Sequence, residues 1–164
     1  IGDVFPALAL GVGKGDPSKM LLPPRDPKEP ILARRHWGAI IVYGRVITGA
    51  VLAAFGVALN TLQLPTNEGV TVSFLTLAFA RLWHVFNMRD RGSKLVKNDI
   101  TRNPFVWGAL VLCTGLLLLA LFLPGLSLAL DLVYPGHKGM ALIIGSSIVP
   151  LIIGQIYCQF RDRK

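Results

Sequence analysis

Asp3, Arg45 and Arg81 are formally charged yet sit inside long apolar runs, with His84 one turn beyond Arg81. Charge at membrane depth is expensive, so such groups are the first candidates for handling ions. Asp3 lies about ten residues before Gly13, roughly 15 Å of helical rise. Pro6 follows it and Gly2 precedes it. A proline ring clashes with the carbonyl four residues back, which predicts a kinked or unwound backbone near Gly2 and Asp3. Unwinding frees carbonyl oxygens beside a carboxylate, the donor set that broken helices offer to cations near the bilayer midplane. Pairing of Asp3 with a basic side chain for structure alone is the plainer alternative.

Arg45 and Arg81 each lie about 12 Å from the basic end of their runs. An arginine at that depth can extend its guanidinium back toward the headgroups, and that reading suffices for Arg45. For Arg81, His84 at i+3 shares the helix face, which predicts an inward polar patch lining a site or supplying a counter-charge. Ser73, Thr76 and Asn87 fall on another face and are expected to bond to neighbouring helices or their own backbone. Gly11, Gly13, Lys14 and Gly15 imitate a phosphate-binding loop. No strand precedes them, prolines follow, and no Ser or Thr comes after the lysine, so nucleotide binding there is excluded. No metal-ligand cluster, H-E-x-x-H or nucleophile elbow occurs in the sequence.

The elements that carry these residues follow from composition. Of 164 residues, 52 % are hydrophobic and 16 % charged, and mean hydropathy is +0.56. Several apolar runs approach or exceed the roughly 18–20 residues that cross a bilayer. A chain this short cannot bury so much apolar helix within itself, so lipid must cover the rest. The fold class is an all-α, polytopic transmembrane helix bundle of half a helix plus four full spans, one domain over 1–164. The expected spans are approximately 1–13, 37–62, 70–88, 105–123 and 139–160. The first is too short to cross and begins with Ile1. It reads as the second half of a helix, predicting that the chain is part of something longer. Five prolines between 17 and 30 forbid helix in loop 14–36, and Pro104 stands at a helix-opening position. Cys113 and Cys158 lie in different apolar runs, and no disulfide is expected.

Seventeen Lys and Arg against nine Asp and Glu give a formal charge of +8. Placement rather than total decides what this means. Loops 14–36 and 89–103 and the C-terminal tail hold fourteen of the basic residues, and segments 60–69 and 124–138 hold one. Alternation of this kind is the positive-inside signal. It puts the first set, with the C-terminus, in the cytoplasm and excludes nucleic acid as the partner. The chain is expected to be integral to the cell (plasma) membrane, with the lipid bilayer as its immediate partner.

Asp3 through Ala7, then Ala9, Leu10 and Gly11, then the string P-P-R-D-P-K-E-P from Pro23 to Pro30 resemble the sixth transmembrane helix and following cytoplasmic loop of type II P-type cation-transporting ATPases, among them the calcium pumps. The remaining spans resemble, less closely, the seventh to tenth helices. The resemblance implies that Asp3 is a cation ligand. It also implies that loop 14–36, through Arg25, Lys28 and Glu29, couples the membrane helices to the phosphorylation domain. Two positions depart from the family pattern. Gly2 stands where the calcium pumps carry threonine, and Arg81 aligns with an eighth-helix glutamate, His84 falling where an asparagine stands. A fixed positive charge repels a second divalent cation, so one cation per cycle is expected, or an Arg81–Asp3 pair acting as an internal counter-charge. Of cofactors, the segment itself is expected to hold none. The resemblance implies a transported cation, calcium or another of the ions such pumps move (manganese, sodium, potassium or protons), and Mg and ATP are used by domains outside this sequence. Helices one to five and the cytoplasmic domains would be its protein partners. Alone the chain cannot hydrolyse ATP. The alternative is a free-standing helical membrane scaffold or subunit without transport activity; a small secondary transporter is disfavoured by the lack of an internal repeat.

Overall fold

The computed structural model describes residues 4–12, 34–87 and 99–162. Every regular element among them is helical: α1 (Val4–Gly11), α2 (Arg34–Asn60), α3 (Thr66–His84) closed by a 3-10 turn (Val85–Asn87), α4 (Asp99–Arg102), α5 (Pro104–Phe122), α6 (Pro124–Ala129) and α7 (Gly136–Asp162). Four stretches are long and apolar enough to cross a bilayer: Trp37–Asn60, Thr66–Asn87, Pro104–Phe122 and Gly136–Tyr157. Nineteen residues already rise about 28 Å, close to the roughly 30 Å of a hydrocarbon core.

Local chemistry sets the helix ends. Asn103 caps α5, its side chain accepting from Phe105 N at 2.9 Å, with Pro104 at the first helical position. The α2–α3 turn folds back on itself, Leu64 N donating to Ala58 O at 3.0 Å. Gly69 lets the two helices close there, since a β-carbon would lie 2.9 Å from Leu59 Cδ2. Segment 124–138, between the last two expected spans, contains α6. Pro124 opens this helix, and Leu126 and Ser127 donate to the Leu123 carbonyl. Pro150 lies inside α7 without ending it. Membrane helices tolerate proline better than soluble ones do; on the turn before it, Ser147 Oγ donates to Ile144 O at 2.9 Å. Pro6 lies within α1 and is buried. The unwinding expected at Gly2 and Asp3 lies outside the described residues.

Helix α3 is the hub. It packs along α2 on one side and α7 on the other and also touches α5, while α1 lies against α5. Two apolar clusters stabilise this arrangement. One joins Ala9 to Leu82 and Val85 of α3 and to Val106, Ala109, Leu110 and Cys113 of α5. The other joins Ala54 and Ala58 of α2 to Val72 and Leu75, with Ala120, Leu121, Leu132 and Ile143. Thr71 Oγ1 accepts from Val133 N at 3.0 Å and ties the segment before α7 to α3. The Cys113 thiol is free and buried. The outer surface is apolar, with Val111 at 72 % and Leu52 at 64 % exposure. In water such faces would be aggregation surfaces; lipid is the solvent that suits them.

Candidate functional site

Asp3 and the loop residues Arg25, Lys28 and Glu29 lie outside the described residues, Asp3 by a single position. Helix α1, which Asp3 precedes, brings Ala9 into one buried cluster with Leu82 and Val85. These two residues flank the turn of α3 that bears Arg81 and His84. Asn103 fixes α1 from the other side, donating from Nδ2 to Ala9 O at 2.9 Å.

Arg81 and His84 meet different neighbours. Arg81 is exposed and lines a cleft of ≈ 410 Å³ with Phe74, Leu77 and Ala78 of α3, Cys113, Leu116, Leu117 and Ala120 of α5, and Leu126 and Leu130 beyond. It is the charged residue of an otherwise apolar wall. A guanidinium offers hydrogen-bond donors alone. It can balance a carboxylate or repel a cation, and it cannot ligate one. His84 is half-buried against α2, its ring 4.6 Å from that of Tyr43 in an edge-on arrangement. Asn87 Nδ2 lies 3.5 Å from His84 Nδ1. Asn87, whose spacing assigns it to another face, therefore sits with His84, while the shared Arg81–His84 patch divides between α5 and α2. Arg45 is exposed on α2.

Sequence reasoning passed over a second polar group, where α2, α3 and α7 converge. Gln155 of α7 donates from Nε2 to Phe86 O at 3.0 Å. Its neighbour Gly154 faces Asn87 and Tyr43 so closely that a β-carbon would lie 2.7 Å from Asn87 Cγ and 2.9 Å from Tyr43 Cε1. The Tyr43 hydroxyl reaches Gly154 O at 3.5 Å, and the Tyr43 and Tyr157 rings stand edge-on at 5.8 Å. The signal was present as a glutamine directly beside a glycine in the last span. A search for charge alone misses it. Among the described residues, no group of three His, Cys, Asp or Glu could hold a metal ion.

Comparison with known proteins adds what this geometry lacks. Residues 1–160 match the family described as cation transporting ATPase, C-terminus. The chain belongs to this family. Among its relatives is the calcium-transporting ATPase of Bacillus subtilis (strain 168), 29 % identical over 153 residues, which cover 93 % of this chain and 17 % of that protein. Calcium-transporting ATPase 1 of Lactococcus lactis subsp. lactis is 31 % identical over 116 residues, 71 % of this chain and 13 % of the relative. Calcium-transporting ATPase lmo0841 of Listeria monocytogenes is 32 % identical over 113 residues, 69 % of this chain and 12 % of the relative. The chain thus spans less than a fifth of the length of these pumps. It is the C-terminal membrane domain of a P-type cation ATPase, and with four membrane-crossing helices it is an integral membrane protein.

Proposed function

We propose that this chain supplies the cation-translocating helices of an ATP-driven pump whose cargo is calcium. The observation that carries the reading is the family match across residues 1–160, joined to the packing of α1, just after Asp3, against α5 in one buried cluster with Leu82 beside Arg81. In this reading Asp3 is a cargo ligand. A carboxylate with backbone carbonyls is a donor set that suits hard cations such as calcium. Arg81 is the fixed counter-charge that limits the site to one divalent ion per cycle, and His84 braces the same helix. Loop 14–36 transmits the motion of the phosphorylation domain to α1 through Arg25, Lys28 and Glu29. ATP and Mg act in that domain. The pump works in the plasma membrane, moving its ion from cytoplasm to outside, with this chain's C-terminus in the cytoplasm. The names of the relatives support the choice of calcium.

The test is ATP hydrolysis by the full-length pump in vesicles, titrated separately with calcium, manganese, sodium and potassium. Stimulation by calcium together with ATP-driven calcium uptake is expected. Stimulation by another ion in its place would overturn the cargo assignment, and hydrolysis indifferent to every cation would overturn the transport reading.

A further inference from the structure

The last carbonyls of a helix have no partner within it, and a 3-10 turn holds its bonds in poorer geometry than an α-turn. Helix α3 ends in such a turn, Val85–Asn87. Backbone groups near lipid need a partner from the protein. Gln155 supplies it, donating to Phe86 O. The Gln155 Oε1 atom is buried with no hydrogen-bond partner among the described residues. A leucine would avoid that cost but would leave the Phe86 carbonyl without its donor. Beside it, Gly154 leaves open the space that the Asn87 amide fills.

We infer that Gly154 and Gln155 are positioning residues: together they form a seat on α7 that fixes the depth and rotation of α3, and through α3 the placement of Arg81 toward its cleft. The inference rests on the pump reading above. Neither residue reaches the cargo. Arg81 lies in the last turn of α3, five residues before Phe86 in the 3-10 turn that closes the helix, so a rotation of α3 at the seat also turns Arg81. A slip of one residue turns a helix by about 100° and shifts it by about 1.5 Å, enough to take Arg81 off the α5 side altogether.

The experiment is the calcium dependence of ATP hydrolysis by the full-length pump, unaltered and as Gly154→Ala, Gln155→Leu and Gly154→Ala with Asn87→Ser. Taking a positive charge away from a cation site favours the cation, so Gly154→Ala should lower the calcium concentration for half-maximal activity about tenfold, with a smaller change in maximal rate. Gln155→Leu should shift it in the same direction. Shortening Asn87 should return the calcium dependence part of the way to the parental value, since contacting sites couple and Tyr43 Cε1 still stands 2.9 Å from the new methyl. A loss of maximal rate at unchanged calcium dependence would make the seat merely structural and overturn the inference, as would variants indistinguishable from the parent. If Gly154→Ala fails to fold, Gln155→Leu, which crowds nothing, decides alone. Hydrolysis by the unaltered pump without cation dependence would instead sink the functional reading.

Discussion

Asn103 and Ala9, ninety-four residues apart, are joined by a 2.9 Å hydrogen bond from the Asn103 side chain to the Ala9 carbonyl. The same side chain accepts from Phe105 N and caps α5. One amide thus begins one helix and takes up a carbonyl from the last turn of another. This ties α1, the helix that follows Asp3, to α5 at the end where loop 14–36 departs.

Replacing Asn103 separates the two roles. Asn103→Ala loses both bonds and should destabilise the protein by about 1–3 kcal/mol, one cap plus one hydrogen bond. Asn103→Ser keeps a capping oxygen but is too short for Ala9, and should retain about 1 kcal/mol of that loss. Thermal unfolding of the detergent-solubilised protein measures both. Equal losses for Ser and Ala would show that the cap contributes nothing.

Arg81 predicts a stoichiometry. Two like charges a few Å apart in a low-dielectric cleft repel by at least several kcal/mol, so a site beside this guanidinium should hold one divalent ion. Calcium uptake and phosphate release, measured together in sealed vesicles of the full-length pump, should give one calcium per ATP. Two per ATP would remove Arg81 from the role of counter-charge.

Loop 14–36 predicts a change in rate without a change in insertion. Arg25→Ala combined with Lys28→Ala should slow ATP-driven transport about tenfold, the scale of one charge-assisted hydrogen bond lost between moving parts. Membrane fractionation should show undiminished protein. Unchanged turnover would leave the loop as a topogenic basic segment stiffened by proline.

The long helices were legible in the sequence because bilayer thickness imposes their length directly, and Pro104 marks the start of α5 without help from tertiary structure. Tertiary features were not. An i+3 pair such as Arg81 and His84 is offset by about 60° around the axis, and that sufficed to divide the two between α5 and α2 once both helices packed beside α3. Gly154 gains its meaning from Asn87, sixty-seven positions away, and no local pattern announces that contact. Asp3 was conspicuous for the opposite reason: a carboxylate in an apolar run stands out before any fold is known.

ATP-driven calcium uptake by the full-length pump carrying Asp3→Asn tests the central claim most directly. The substitution preserves size and a carbonyl oxygen while removing the charge that a divalent ion requires. The account predicts normal insertion, with uptake abolished or its calcium affinity weakened at least about a hundredfold, the equivalent of about 2.7 kcal/mol. Uptake by the variant at the parental rate and affinity would contradict it.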